Sequence, residues 1–147
     1  NRAAHRNNIQ HNQKMARMIP EIDCMVEAFC EVNPSEDSQK IQQLLSNVLD
    51  EVEFDIAENS IKASSKQIES LSKIHESIQN HASRRVYWKF LTNNLDGNET
   101  WFYLNKQAAF VNSVALCEHA NESPLGPIKI IIRSKNIERI IEWLTSN

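Results

Sequence analysis

The sequence of 147 residues contains very little glycine, with Gly97 and Gly126 the only two. Phosphate-binding loops such as GxGxxG and GxxxxGK need several glycines close together, because the backbone must approach the phosphate closely. The HExxH, CxxC and GxSxG motifs of zinc proteases, redox proteins and serine hydrolases are also missing. The sequence therefore predicts a protein that is not an enzyme and that needs neither a cofactor nor a metal.

Cysteine is scarce as well, with three residues at positions 24, 30 and 117. The number is odd and the spacing fits no metal motif. On a helix, Cys24 and Cys30 would point in directions about 240° apart, which supports neither a shared disulfide nor a zinc pair. We expect free thiols in a reducing, cytoplasmic compartment.

Long apolar runs are missing too. No run approaches the ~18–20 residues that span a bilayer. The first twenty residues, NRAAHRNNIQHNQKMARMIP, lack the apolar segment of a signal peptide. We therefore expect no membrane partner.

Charge is unevenly distributed along the chain, although the net value is −3. Residues 1–20 carry four basic groups and no acid, a net +4. Residues 21–58 carry eleven acids and one lysine, a net −10, and residues 59–147 carry eleven basic and eight acidic groups, a net +3. The basic residues of the first segment, which we call the N-terminal arm, are Arg2, Arg6, Lys14 and Arg17. Such an arm is typical of contact with a polyanion, whereas the acidic segment would repel one.

The first half of the sequence predicts helices. Apolar residues recur at steps of three and four from Met15 to Phe29 and from Ile41 to Ile56. Between the two stripes, Asn33–Glu36 (NPSE) predicts a helix start with Asn33 as N-cap and Glu36 reaching back to the cap amide. His75, farther on, is interpreted as a polar residue at a helix contact rather than a ligand or a base.

Two arrangements remain open for residues 34–82. One continuous helix of about 70 Å, at ~1.5 Å per residue, would bury its apolar seam in a coiled-coil homodimer. A helical hairpin would instead turn at Ser60–Ser65, where Ser64 and Gln67 could form a capping box. In both cases the predicted seam consists of Ile61, Ile68, Leu71 and Ile78.

Residues 84–106 predict a β-hairpin. Two runs rich in aromatic and branched residues flank NNLDGN, in which Asp96–Gly97 supplies a tight turn. The predicted register puts four aromatic residues on one face, Trp88, Phe90, Trp101 and Tyr103. These residues could pack in the core, which is the interpretation we favour. They could also stack nucleic-acid bases beside the basic residues Arg84, Arg85 and Lys89.

The C-terminal part predicts a helix, a strand and a second helix. Asn105 is a plausible N-cap for a helix over residues 106–120, with a third strand as the alternative. Ile128–Arg133 predicts a strand, and a helix capped by Ser134 follows to about Leu144, because no single helix could bury both groups of isoleucines. The fold prediction is therefore α+β, with a helical or coiled-coil region over residues 1–83 and a small ββαβα head over residues 84–147.

One segment is similar to a catalytic motif. Arg6–His11 (RNNIQH) matches the Arg-Asn-x-x-x-His pattern of HEPN-type ribonucleases. That family carries its pattern late in a helical bundle, whereas here the match lies near the start of the sequence. We therefore do not predict ribonuclease activity from Arg6 and His11.

These patterns together predict a non-enzymatic module for protein–protein interaction and oligomerisation, within a scaffold or regulatory part of a larger protein. Its partner would be another protein or a second copy of the chain. The alternative is a nucleic-acid-binding module that uses the basic N-terminal arm and the hairpin of residues 84–106.

Overall fold

The computed structural model describes residues 19–146, which form a six-stranded antiparallel sheet with helices on one of its faces. The strand order is β2-β3-β1-β6-β4-β5. The strands are β1 (Met25–Glu31), β2 (Glu53–Ile56), β3 (Ser60–Ser65), β4 (Glu99–Leu104), β5 (Leu116–Cys117) and β6 (Ile128–Arg133). The helices are α1 (Ser38–Val48), α2 (Ser72–Asn80), α3 (Arg84–Asn93), α4 (Lys106–Phe110) and α5 (Ile137–Thr145). Single 3₁₀ turns occupy Ile68–Leu71 and Ala120–Glu122.

The two faces of the sheet differ sharply in burial. On the central strand β1, Val26, Ala28 and Cys30 are buried, while Phe29 and Glu31 on the opposite face are exposed. Successive side chains of a strand point to opposite faces, so the alternation shows that the helices cover one face and leave the other open. We call the uncovered side the open face.

The core lies between the covered face and the helices. Helix α5 inserts an apolar side made of Ile137, Ile140, Ile141 and Leu144. Helix α1 does the same with Ile41, Leu44, Leu45 and Val48, and its N-cap Asp37 accepts a hydrogen bond from the Gln39 amide at 2.9 Å. Apolar residues at steps of three and four give each helix one buried stripe. In the described part of the chain, no helix is both long and apolar enough to cross a membrane.

The predictions of long helices and of a coiled coil are wrong. Residues 53–65 form the hairpin β2–β3, so residues 34–82 are neither one helix nor a helical hairpin, and Ser64 and Gln67 form no capping box. Strand β3 is hard to predict from the sequence because only one of its three buried positions holds a large apolar residue, Ile61. The other two hold the small residues Ala63 and Ser65. The predicted seam residues Ile61, Ile68, Leu71 and Ile78 are all buried in the core of the single chain.

The helix predicted from Met15 to Phe29 is also wrong where it can be compared. Residues 25–31 form β1, which pairs with β3 on one side and β6 on the other. Three predicted features lie outside the described residues. They are the N-terminal arm, the ribonuclease-like pattern with Arg6 and His11, and the start of that predicted helix. The strands before residue 84 lie together in the order β2-β3-β1, and those after it follow as β6-β4-β5, so that the pairing of β1 with β6 joins them into one sheet.

The predicted hairpin of residues 84–106 is half right. Its first limb is helix α3, which buries Tyr87 and Leu91 one turn apart, so the prediction of a strand there is wrong. Its second limb is strand β4, and Asp96 and Glu99 close the turn with backbone hydrogen bonds of 2.8 and 3.1 Å around Gly97, whose φ is +61°. The strand beside β4 is β6 rather than residues 84–92.

The C-terminal elements follow the prediction more closely, although the ββαβα order is wrong. Strand β6 has the predicted bounds, and α5 follows it, with Asn136 rather than Ser134 as N-cap. Asn105 does cap α4 by accepting a hydrogen bond from the Ala108 amide at 2.9 Å. That helix ends at Phe110, and the short edge strand β5 occupies part of the remaining segment.

Candidate functional site

A row of aromatic and basic side chains crosses the open face. Antiparallel pairing sets Phe29 of β1 directly opposite Lys62 of β3 and Lys129 of β6, and Lys129 in turn opposite Tyr103 of β4. Residues directly opposite each other share a face. The row therefore reads Lys62, Phe29, Lys129, Tyr103 across four neighbouring strands, with Phe29 and Tyr103 about 10 Å apart at ~4.8 Å per strand.

A second row adds a larger aromatic surface. Trp101 on β4 lies opposite Ile131 on β6, and its ring centroid is 5.1 Å from that of Tyr103. The ammonium of Lys129 lies 4.8 Å from the Trp101 ring centroid. Phe29 keeps 40% of its surface exposed. The open face thus presents three aromatic rings to solvent with a cation between them.

Two acidic residues on this face, Glu27 and Glu99, are held by cations. The Arg133 guanidinium bonds to the carboxylates of Glu27 and Glu99, the latter at 2.5 Å, and Lys62 lies 3.3 Å from Glu27. Partial burial alone would raise the pKa of Glu27, but the hydrogen bonds from Arg133 and Lys62 outweigh burial and lower this pKa. Lys129 makes no ion pair with any residue between 19 and 146, so its charge is available for a ligand.

A buried ion pair fixes one end of β1. Lys106, fully buried, donates through its ammonium to the Glu36 carboxylate at 3.0 Å and to the carbonyls of Glu31 and Leu125, both at 2.9 Å. Glu36 also accepts from the Asn33 amide at 3.0 Å, as the NPSE pattern predicts, although helix α1 begins only at Ser38. The network ties the end of β1 to two loops and to α4.

The site residues proposed from the sequence separate into two groups. Trp101 and Tyr103 lie on the open face, as described above. Arg84, Arg85, Trp88 and Lys89 lie on α3, which packs on the covered face where Tyr87 meets the edge of Phe102 at 5.6 Å. The structure therefore does not bring the six residues together.

Helix α3 borders a separate groove. Trp88, 54% exposed, lines a cavity of about 440 Å³ with Leu95 and Ile141. Glu138 and Glu142 of α5 also line it. Two carboxylates at this groove oppose the approach of a phosphate. His75 lies in the same helical layer, where it stacks on Trp143 of α5 at 4.4 Å, as expected for a residue at a helix contact.

Three residues of the open face are missed by sequence reasoning, Phe29, Lys62 and Lys129. The sequence pattern puts Phe29 in a helix, and Lys62 in a helix or its turn. Lys129 lies in a correctly predicted strand, IKIIIR, whose alternation puts Lys129, Ile131 and Arg133 on one face. That signal is present in the sequence, but the strands that pair with β6 cannot be read from it.

One exposed group of potential metal ligands follows β5. Glu118, His119 and Glu122 bring three ligand atoms within 4.8 Å of one another. Exposed acidic groups often gather in this way without an ion. The three cysteines are free, and burial raises the pKa of Cys24 and of Cys30 to about 11, which keeps these two thiols protonated near neutral pH.

Comparison with protein families gives a match over the whole sheet. A family model described as RNA binding matches residues 25–134, from the first residue of β1 to the residue after β6. A UPF0201 protein of Sulfurisphaera tokodaii is 38% identical over 119 residues, which cover 78% of this chain and 82% of the relative. A UPF0201 protein of Thermococcus kodakarensis is 33% identical over 134 residues, which cover 88% of this chain and 92% of the relative.

Solved structures share the fold. A UPF0201 protein from Methanococcus jannaschii superposes with a TM-score of 0.71 at 23% identity, over 83% of this chain and 99% of that protein. A crystal structure of another UPF0201 protein gives a TM-score of 0.72 at 23% identity, over 84% of this chain and 94% of that protein. At this identity the likeness concerns the fold alone. The predicted architecture, a helical region joined to a small head, is therefore wrong, and the chain has a sheet-based fold instead.

Proposed function

We propose that this chain, which belongs to the family described as RNA binding and is related to the UPF0201 proteins, binds single-stranded RNA on the open face of its sheet. The proposal adopts the nucleic-acid alternative of the sequence analysis in place of the protein-interaction module. It concerns binding only and includes no catalytic step.

The row Lys62, Phe29, Lys129, Tyr103 is the observation that carries the proposal. Unpaired bases stack on exposed aromatic rings, at roughly 1–3 kcal/mol per base, and lysines beside the rings can meet the phosphates between stacked bases. A duplex hides its bases, so this surface suits single strands. Trp101, next to Tyr103, extends the stacking surface along β4.

Charge limits where the strand can run. The edge strand β2 carries Glu53 and Asp55, which repel phosphate, whereas Arg133 and Lys62 together offset the charges of Glu27 and Glu99. We infer a path over β1, β6 and β4 that avoids β2. The N-terminal arm, with its net +4, would supply further phosphate contacts, in line with the sequence analysis.

Fluorescence anisotropy of a labelled single-stranded RNA tests this proposal with two matched double variants. Lys62→Gln with Lys129→Gln removes two cations from the open face, and Arg85→Gln with Lys89→Gln removes two from the exposed side of α3. We expect the first pair to weaken binding and to reduce the salt dependence, and the second pair to leave both unchanged. Removing two phosphate contacts should reduce the slope of log K against log salt by about 1.4, at ~0.7 per contact for single strands.

Two further measurements separate stacking from charge. Phe29→Ala should weaken binding without changing the salt slope, because it removes a stacking ring and no cation. Deletion of residues 1–18 should lower the slope of log K against log salt. In the shortened chain, Phe29→Ala should still weaken binding. If the α3 pair weakens binding and the open-face pair does not, the open face is the wrong surface. If single-stranded RNA does not bind even at low salt, the function itself is wrong.

A further inference from the structure

A cavity opens at one end of the open face, where β1 leaves the sheet. It has a volume of about 390 Å³, and its lining includes Phe29, Glu31, Asn33, Asn59 and Ser60. Phe29 and Glu31 are two residues apart on β1 and therefore project on the same side, ~7 Å apart. A ring on one side and a carboxylate beside it form a site of the size that small planar ligands occupy.

The walls of this cavity are held in place by hydrogen bonds. The Val32 amide donates to the Asn59 carbonyl at 2.8 Å and joins the end of β1 to the β2–β3 turn. The Lys106 ammonium holds the Glu31 carbonyl at 2.9 Å. The Asn33 side-chain amide donates to Glu36 at 2.8 Å and to the Leu125 carbonyl at 3.0 Å. The backbone on both sides is therefore fixed before a ligand arrives, which lowers the entropy cost of binding.

Glu31, at the end of β1, differs from Glu27 and Glu99 on the same face. Glu27 and Glu99 are held by Arg133, whereas the carboxylate of Glu31 has no hydrogen bond or ion pair with any residue from 19 to 146. Lys106 reaches only its backbone carbonyl. A free carboxylate repels phosphate, but it accepts hydrogen bonds strongly from N–H groups of a base. Its position beside the exposed Phe29 ring suits the second role.

We propose that this cavity selects guanine, with the base stacked on Phe29 and its Watson–Crick edge directed at Glu31. The inference rests on the proposed RNA binding and adds a base preference to it. Guanine presents two adjacent donors, N1–H and N2–H, which match the two oxygens of a carboxylate. Adenine and cytosine each present one amino donor next to a ring nitrogen acceptor, which the carboxylate repels, and uracil presents one N–H between two carbonyls.

Asn59, which also lines the cavity, supports this geometry. It is exposed, and its side-chain amide has no hydrogen-bond partner within residues 19–146. An amide can donate to the guanine O6 or accept from the sugar hydroxyl. The β2–β3 turn that carries it is connected to the cavity through the Val32 amide.

Competition among oligouridylates that carry one guanosine, inosine, adenosine or cytidine at the same position tests the preference. We expect the guanosine probe to bind about ten-fold or more tightly than the adenosine and cytidine probes, in the range that a bidentate base contact supplies. Inosine lacks the 2-amino group and should fall between them. Glu31→Gln should abolish the preference while binding to plain oligouridylate is kept or improved, because one negative charge is lost.

Glu53→Gln is the matched control, because it removes one carboxylate from the same face on the edge strand. It should keep the guanosine preference. Equal affinity of all four probes for the unaltered protein would overturn the base preference, and so would a preference that survives Glu31→Gln. If either result were found while binding still depended on Phe29 and Lys129, the guanine preference would be wrong but RNA binding on the open face would stand. Absence of binding to every probe would overturn both.

Discussion

The ammonium of Lys129 lies 4.8 Å from the ring centroid of Trp101, on neighbouring strands of the open face. A cation over an exposed ring contributes about 0.5–1 kcal/mol. A base stacked on the same ring contributes roughly 1–3 kcal/mol. Because stacking is the stronger of these two contacts, we expect RNA to displace Lys129 from the ring and to leave its charge free for a phosphate.

Replacing this lysine alone should therefore have a specific effect. Lys129→Met removes the charge, keeps the apolar stem and frees the Trp101 ring. We expect the slope of log K against log salt to fall by about 0.7, the value for one phosphate contact on a single strand. Affinity should fall equally for all sequences, since no base contact is lost. Titrations of several RNA sequences at several salt concentrations measure the affinity and the salt slope. An unchanged slope would show that Lys129 does not contact phosphate.

The buried ion pair predicts a large loss of stability. Lys106→Met leaves the Glu36 carboxylate, whose side chain is 7% exposed, without its cation. Breaking a buried pair in this way costs about 3–5 kcal/mol, and the carbonyls of Glu31 and Leu125 also lose a donor. Urea unfolding measures the loss. Adding Glu36→Met to the same chain should restore part of it, whereas a single variant within about 1 kcal/mol of the parent would contradict the network.

Glu36 also predicts how stability depends on pH. Burial would raise the pKa of this carboxyl, but hydrogen bonds from Asn33 and Lys106 lower it from its ordinary value of 4.5. The unfolded chain then binds the proton more tightly than the folded one. The contribution of Glu36 is complete above about pH 4.5 and is lost as the pH falls through the folded pKa. Urea unfolding across this range should give a steeper acid loss for the parent than for Glu36→Gln, and parallel curves would refute the assignment.

Some elements of the fold can be predicted from the sequence because contacts between residues close in the chain determine them. The isoleucines of β6 and α5 cannot share one helix face, so a strand and a helix follow directly. The NPSE pattern predicts the hydrogen bond from the Asn33 amide to Glu36, because that contact spans only three residues. Strand β4 is recognisable from its alternation of Trp101 and Tyr103 with Phe102.

The rest depends on contacts distant in sequence. Strand β1 contains consecutive apolar and acidic residues, and only its pairing with β3 and β6 explains the choice of strand over helix. The sequence of helix α3 predicts a strand because it is rich in aromatic residues. In the structure only Tyr87 and Leu91 are buried, at a spacing of four residues that suits a helix. The candidate site combines residues from four strands, so sequence reasoning finds Trp101 and Tyr103 but cannot join them to Phe29 or Lys129.

The location of Leu71 allows the coiled-coil prediction to be tested in solution. Leu71 is fully buried in the core of one chain. Leu71→Ala should lower the free energy of unfolding by about 2–5 kcal/mol through the cavity it leaves. Ile56→Ala, at a residue 54% exposed, should change it by less than about 0.5 kcal/mol. The effect of Leu71→Ala should be the same at every protein concentration, and a concentration-dependent midpoint would indicate that Leu71 contacts a second chain.

The three tryptophans report on three different places in one experiment. Trp101 lies on the open face, Trp88 in the groove beside α3, and Trp143 stacked on His75. Their indole N–H resonances in a ¹⁵N-labelled sample, assigned with single Trp→Phe variants, can be followed while a short single-stranded RNA that contains guanosine is added. We expect the Trp101 resonance to shift until the protein is saturated with RNA, while the resonances of Trp88 and Trp143 stay in place. Movement of the Trp88 resonance with Trp101 unchanged would contradict binding on the open face.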